Sequence, residues 1–369
     1  MRILAFMNGY TQGKSGGDVL FADIMRGLAP DELTIVTSLK GEELLTEYGV
    51  RATFLITSQT DPIKHLIREY IMRIVRAMIL LPLDEPYDLV YSSSDSLPDT
   101  LPAWYHSGKL KIPWVARTYH AVPAKRFISH LTQRISFWLF ARRNATVITA
   151  SNIMKQLLKQ RRISVSRIRV LYPGVEKKIP HELPAPIYDA VWMARIHPSK
   201  GYHDLIYIWK AVIQEHPLTK LAIIGTGAER HVQELAQLIK LHGLGSAVDL
   251  LGHVADPRAA SLIRNARLFL HTSHEEGFGL TMGEAMHQET PIIAYHLPIF
   301  EELFAEAFIA VRCFDREHFV ERVCHALQKP EMTLPHISKA KSRISLFSWE
   351  HAIQNERALL ENIILKKSR

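Results

Sequence analysis

Ten short, apolar-dense runs punctuate this chain, and helix-like stretches separate most of them. The first half carries RILAFM (2–7), LTIVTS (33–38), DLVYSSS (88–94), PWVARTY (113–119) and ATVITAS (145–151). The second half carries YDAVWMA (188–194), KLAIIGTG (220–227), VDLLGHV (248–254), RLFLHTS (267–273) and TPIIAYH (290–296). These runs do not alternate apolar with polar, as half-exposed strands do. They read as parallel strands covered on both faces, within repeated βα units. At 369 residues the chain is long for one core. The expected architecture is therefore α/β, with two doubly wound, Rossmann-like domains facing across a crevice.

The proline-rich segment EKKIPHELPAPI (176–187) has no periodicity and marks the junction. The expected division is a first domain over 1–177, a linker over 178–187 and a second domain over 188–346. The segment FSWEHAIQNERALLENII (347–364) reads as a terminal helix with Ser348 at its N-cap. We assign 347–369 to that helix. Two cysteines, Cys313 and Cys324, offer neither a disulfide framework nor metal-ligand spacing, which fits a reducing cytosol. The opening residues are not expected to form a signal peptide, and no apolar run of about 18 residues is expected to span a bilayer. The expectation is a protein that is soluble or lies on a membrane.

Charge is uneven. Residues 1–180 hold 25 Lys and Arg against 15 Asp and Glu; residues 181–369 hold 20 against 22, so the halves carry +10 and −2. A polyanionic surface facing the first half would account for this. Two basic stretches stand out there. In 61–83, Ile63, Leu66, Ile67, Tyr70, Ile71, Ile74, Val75, Met78 and Ile79 form a helical stripe, with Lys64, Arg68, Arg73 and Arg76 off it. In 123–144, Phe127, Ile128, Leu131, Trp138 and Phe140 mingle with Lys125, Arg126, Arg134, Arg142 and Arg143. Both helices either cover the first domain's sheet or dock on an anionic membrane.

The chemistry concentrates in HTSHEEGFGLTMGEAMHQETPIIAYH (271–296). A strand ends into HEEGFG, and a helix begins near Leu280. Gly277 and Gly279 let the backbone approach a ligand, and the amides at the helix start can hold anionic oxygen. Glu284, one turn in, can accept two hydrogen bonds from a ribose diol, while Glu276 can bind hydroxyls of a second sugar. Both carboxylates can equally be solvated residues flanking a helix. Arg195 and Lys200, in WMARIHPSKGYHDLI, follow another strand of the second domain, where two cations can neutralise a diphosphate. In the first domain, Gly16 and Gly17 precede a helix, and His120 closes a strand; each has a purely structural alternative.

HEEGFGLTMGEAM, ARIHPSKG, the early SGG…F…L and VLYPGVE (170–176) together resemble the retaining glycosyltransferases of family 4, which have the GT-B fold. The resemblance covers nearly the whole chain in order. It implies that Glu284 binds ribose, Glu276 contacts the donor sugar, and Arg195 and Lys200 stabilise the leaving diphosphate. Gly277, Phe278, Gly279 and Leu280 are then donor-binding. Gly16 and Gly17 lie by the phosphates and acceptor, and His120 approaches the transferred sugar. His253 and Val254, in LLGHV, read the base, and the terminal helix crosses back to the first domain. The implied donor is a nucleotide-sugar and the implied acceptor a glycan or lipid-linked glycan. No cofactor or metal is required; there is no Asp-x-Asp pair. Two departures stand out: Glu289 replaces a customary glycine, and YHLPIFEEL (295–303) replaces a Gly-Gly pair, which bears on donor choice through the His296–Phe300 loop.

Other classes fit less well. The GTG of IIGTGAER lacks the third glycine of a dinucleotide fingerprint. No basic groove interleaved with stacking aromatics suggests nucleic acid. A nucleotide-sugar hydrolase or epimerase of the same fold, or a non-catalytic descendant, is the nearest rival.

Overall fold

A computed structural model describes residues 1–10, 16–59, 66–79, 86–181 and 188–367. It divides into two compact units, Met1–Pro173 with Glu350–Arg369, and Gly174–Trp349. Each contains a parallel sheet, as the dense apolar runs anticipate.

The first sheet uses β1 (Arg2–Met7), β2 (Glu32–Thr37), β3 (Thr53–Ile56), β4 (Leu89–Ser92), β5 (Trp114–Thr118), β6 (Thr146–Thr149) and β7 (Ile168–Val170). Their order is β3-β2-β1-β4-β5-β6-β7, so the chain reverses direction across the sheet after β3. The second sheet uses β8 (Ala190–Met193), β9 (Leu221–Ile224), β10 (Val248–Gly252), β11 (Leu268–His271), β12 (Ile292–His296) and β13 (Ile309–Arg312). Its order is β10-β9-β8-β11-β12-β13. This is the doubly wound pattern, in which ligands gather outside the carboxyl ends at the reversal point. In the second sheet that point lies between β8 and β11, which pair in parallel from Leu268 opposite Ala190.

Helices of the first unit are α1 (Gly16–Leu28), α2 (Leu39–Glu47), α3 (Leu66–Ile79), α4 (Leu97–Lys109), α5 (Phe127–Arg143) and α6 (Asn152–Gln160). The second unit adds α7 (Tyr202–Glu215), α8 (Glu229–Leu241), α9 (Asp256–Arg264), α10 (Leu280–His287), α11 (Pro298–Leu303), α12 (Arg316–Gln328) and α13 (Leu334–Ile344). The last helix, α14 (Trp349–Lys367), packs with the first unit. Its Glu356, fully buried, accepts a hydrogen bond from the Tyr91 hydroxyl at 2.6 Å and pairs with the buried Arg117 of β5. An unpaired charge there would be costly, so this contact fixes α14 on the sheet.

The unit boundary falls at Pro173/Gly174, ahead of the linker assigned to 178–187. Val175 is buried and donates its amide to Phe347 O at 2.8 Å, and the Gln288 side chain donates to Lys178 O at 2.9 Å. The backbone of 174–178 is thus held by the second unit. Residues 182–187 lie outside the described residues.

The orientation of α3 reverses one expectation. Arg73, which lies off the apolar stripe, is the residue that is buried, and it donates to the carbonyls of Asn8 and Tyr10. Ala77 is the other buried residue of that helix, while Ile67, Ile71, Val75 and Ile79 are exposed. The loop after β1 has main-chain acceptors to satisfy, and a guanidinium does this better than an isoleucine. Positions 61–65 and 80–83 of that stretch, Ile63 and Lys64 included, lie outside the described residues.

Candidate functional site

The loops after β8 and β11 are tied together by hydrogen bonds. After β8 a short turn, Pro198–Lys200, is capped by the His197 side chain, and Gly201 follows at φ +73°. A Cβ at Gly201 would stand 1.9 Å from Thr272 O, so only glycine lets the two loops approach this closely. Thr272 donates to the carbonyl of Gly201 at 3.0 Å, and the His274 amide donates to Ser199 O at 2.8 Å.

This lacing brings Lys200 and Glu276 together. Lys200 Nζ donates to Glu276 Oε1 at 2.6 Å. His271 Nε2 stands 3.5 Å from the same oxygen. Neither ring nitrogen of His271 has a hydrogen-bond partner, although the residue is buried at the end of β11. Burial alone would raise the Glu276 carboxyl, but the Lys200 charge and the His271 imidazole hold it well below the usual carboxylate range. Arg195, on the same loop as Lys200, is exposed and has no ion pair among the described residues.

Gly279, at φ +92°, starts α10, and the Met282 amide is the first to bond back, at 3.0 Å to Gly279 O. The preceding amides of Leu280 and Thr281 have no intrahelical acceptor, as helix geometry requires. Phe278 does not join them as a side chain. It is buried edge-on against Phe304 and Phe347, leaving only its main chain at the loop surface. Gly277 and Leu280 are half-buried on either side. Phe300, from the α11 segment that replaces the Gly-Gly pair, packs edge-on against His271 and closes the space beneath Gly279. Within that segment His296 is exposed and pairs with Glu301.

Glu284 has a separate partner that spacing did not reveal. Lys178 Nζ lies 2.8 Å from Glu284 Oε1 and 3.1 Å from Asp256 Oδ1. Burial raises the Glu284 carboxyl; Lys178 opposes this, and Asp256 and Glu176 reinforce it. A recess lined by Glu176, Lys178, Met193, Ala259, Glu284 and Gln288 surrounds the pair. His253 is exposed and Val254 half-buried in the loop after β10, and neither has a side-chain hydrogen bond among the described residues. Glu289 is exposed after α10 with φ +59° and pairs with Lys341 at 2.9 Å. It thus sits at the far end of α10 from Gly279.

In the first unit, Gly16 and Gly17 begin α1, following 11–15, which lie outside the described residues. A Cβ on Gly17 would come within 2.9 Å of the Tyr119 ring, and the Tyr119 hydroxyl donates to Gly17 O at 3.1 Å. The adjoining His120 is exposed. Its carbonyl accepts from Gln133 at 2.8 Å, and Gln133 also donates to Asp95 at 2.9 Å. Asp99 receives the amides of Asn8 and Gly9 at 2.6 and 2.7 Å; burial pushes its carboxyl up to about 6. Asp95, Asp99 and Gln133 brace the loops after β1 and β5, contacts that the sequence pattern did not signal.

One group of metal-ligand types occurs among the described residues: Glu215, His216 and Cys324, with ligand atoms within 4.8 Å of one another. It lies at the end of α7 and on α12. Burial and the Glu215 carboxylate raise the Cys324 thiol to about 11, which keeps it protonated.

Comparisons with known proteins bear on the family and the fold. The model described as "Glycosyl transferases group 1" matches residues 177–343, and "Glycosyltransferase Family 4" matches 15–178. The alpha-monoglucosyldiacylglycerol synthase of Acholeplasma laidlawii is 27% identical over 39% of this chain and 36% of its own length. A glycogen synthase of Mycobacterium tuberculosis is 23% identical over 65% of this chain and 60% of its own. The chain thus spans less than two thirds of the length of these relatives. Among solved structures, Anabaena Alr3699/HepE in complex with UDP and glucose superposes with a TM-score of 0.79 at 21% identity, covering 98% of this chain and 100% of that one. The lipopolysaccharide outer core galactosyltransferase WaaB gives 0.66 at 17% identity over all of both chains.

Proposed function

This chain belongs to the GT-B glycosyltransferases of the group 1/family 4 type, and from that premise we propose that it moves a sugar, with retention, from a nucleotide-sugar to an acceptor hydroxyl. The observation that carries the reading is the Lys200–Glu276 pair, held at the paired ends of β8 and β11 beside the open N-terminus of α10. In this reading Glu284 accepts the two ribose hydroxyls. Glu276, kept ionised, orients the hydroxyls of the donor sugar. Lys200, Arg195 and the amides of Leu280 and Thr281 neutralise the diphosphate as the bond from the anomeric carbon to phosphate oxygen breaks. His253 and Val254 face the base.

The acceptor oxygen bonds to the anomeric carbon from the face that the diphosphate leaves. The acceptor proton passes to a phosphate oxygen, so no enzymic nucleophile is needed. The lysine and arginine charges take the part a divalent cation plays elsewhere, and turnover is expected to survive a chelator. In the first unit, His120, Gly16 and Gly17 serve the acceptor side. A lipid-linked glycan or glycolipid acceptor is favoured by relatives named for glucosyldiacylglycerol and for cellobiosyl-diphosphopolyprenol.

The test is a thermal-shift panel of UDP, GDP, ADP and dTDP without metal, on the wild type and on Glu284→Ala. One diphosphate that stabilises the wild type alone names the base. Turnover of the matching nucleotide-sugar that depends on added acceptor separates transfer from hydrolysis. Equal shifts in both proteins would remove the ribose role.

A further inference from the structure

The first unit presents apolar side chains to solvent on two helices of one layer. On α3 the residues Ile67, Ile71, Val75 and Ile79 recur every fourth position along the exposed side, and Ile79 is 74% exposed. On α5 the exposed residues Ile128, Leu131, Ile135 and Trp138 follow a three-and-four spacing, with Phe127 beside the first of them, and Phe127 is 72% exposed. Both helices contribute their opposite sides, through Ala77, Phe137 and Phe140, to one core with the sheet, and α4 packs against each of them. The stripes are therefore turned away from the sheet rather than folded into it. Single exposed apolar residues are ordinary, but two exposed stripes on the helices that flank α4 mark a surface that buries itself elsewhere.

Charge indicates what covers it. Between Asp99 and Glu176 the chain has 14 Lys and Arg and no Asp or Glu. Arg134 and Arg142 are exposed on α5 among the apolar side chains, and the Arg142 guanidinium lies over the Trp138 ring at 5.2 Å. On α3, Arg68 and Arg76 are exposed beside the isoleucines. An amphipathic helix of this kind, apolar rows edged with arginine, sinks its hydrocarbon into the acyl boundary and keeps its cations at the headgroups. A polyanion without hydrocarbon would satisfy the arginines and leave the apolar rows in water. Among the described residues no helix is long and apolar enough to cross a membrane, so the contact would be a surface one.

We propose that the outward faces of α3 and α5 form one docking surface for an anionic lipid bilayer. The surface is independent of the transfer reading, because no residue of it belongs to the site of the second unit.

Co-sedimentation with vesicles tests this with the full chain and no nucleotide. The wild type should bind vesicles of phosphatidylcholine containing about one third phosphatidylglycerol, release them as salt rises, and ignore phosphatidylcholine alone. Arg134→Glu with Arg142→Glu should weaken binding at least about 25-fold, at about fivefold per cation. Ile71→Gln with Ile135→Gln should weaken it about tenfold per side chain. The exposed Lys240→Glu on the second unit serves as the control and should bind as wild type. Because these positions are exposed, unchanged melting temperatures should accompany the losses. No binding to anionic vesicles, equal binding to both vesicle types, or anionic binding unaffected by either pair of substitutions would overturn the proposal. So would a wild type that sediments as a dimer and an Ile71→Gln/Ile135→Gln variant that is a monomer, since the face would then belong to a second copy of this chain.

Discussion

Glu276 and Glu284 lie on one loop-helix segment, are both largely buried, and each touches a lysine, yet their environments act in opposite directions. Glu276 has Lys200 at 2.6 Å, with His271 on its other side, and its acidity is strengthened well beyond normal. Glu284 has to share Lys178 with Asp256, and burial leaves its carboxyl raised. The first is a fixed anion with its hydrogen bonds in place. The second is an acceptor held short of donors, which two ribose hydroxyls would supply. Burying such a carboxylate costs stability, and on the proposed reading that cost is recovered when the donor binds.

The largest expected effect breaks the first of these environments. On the proposed reading Lys200→Ala removes a charge that stabilises the leaving diphosphate, and it should lower kcat about 10²- to 10³-fold. Glu284→Gln should instead act mainly on donor affinity, weakening it about tenfold for a lost charged hydrogen bond, with kcat little changed. Steady-state kinetics on both variants decide this; equal losses in kcat would erase the distinction.

Stability should divide in the same way. Glu276→Gln leaves Lys200 without its counter-charge in a half-buried setting and should cost about 3 kcal/mol in urea unfolding at neutral pH. The depressed Glu276 carboxyl contributes stability that is present above the unfolded value of about 4.3 and is lost as pH falls below it. The variant should therefore show a flatter acid limb. The raised Glu284 carboxyl has the opposite sign: its ionised form costs stability at neutral pH, and that cost disappears as pH falls through its raised value. Glu284→Gln should accordingly be as stable as the wild type or more so at pH 7.

Nucleotide binding supplies a third contrast. Affinity should fall as pH drops through the raised Glu284 value, because the protonated carboxyl loses acceptor capacity. Lys178→Met removes the charge that opposes this shift, so the acid limb of binding should move to higher pH. Glu284→Gln should remove that limb, and Glu276→Gln should leave it in place. Calorimetric titration with the diphosphate named by the thermal-shift panel reads all three; a limb unchanged in Lys178→Met would mean that the lysine does not set the Glu284 environment.

What the sequence revealed follows from how locally each feature is encoded. All ten apolar runs contain strands, because buried parallel strands concentrate apolar residues over a few positions. The three strands not anticipated, β3, β7 and β13, are edges of their sheets and partly exposed, so their composition is diluted. The Lys200–Glu276 and Gly279 features lay within recognisable motifs. Lys178 did not: it sits in a proline-rich stretch, and its contact with Glu284 depends on how the chain folds back over α10. The outward stripe of α3 was visible as a stripe, but periodicity alone cannot say which side faces the sheet. Buried Arg73 decides it, through carbonyls on the loop after β1.

The smallest expected effect concerns the departure at Glu289. The position keeps a left-handed backbone, φ +59°, just after the end of α10, where glycine is the residue without a steric penalty. Its carboxylate is exposed and pairs with Lys341, a contact worth a few tenths of a kcal/mol at most. Glu289→Gly should therefore stabilise the protein, by about 0.5 to 1 kcal/mol, by relieving αL strain that exceeds the lost ion pair. The residue stands at the C-terminal end of α10, whereas the open amides of Leu280 and Thr281 are at its start, so donor KM should not move. A changed KM with unchanged stability would place Glu289 in donor selection and remove the distinction between the two ends of this helix.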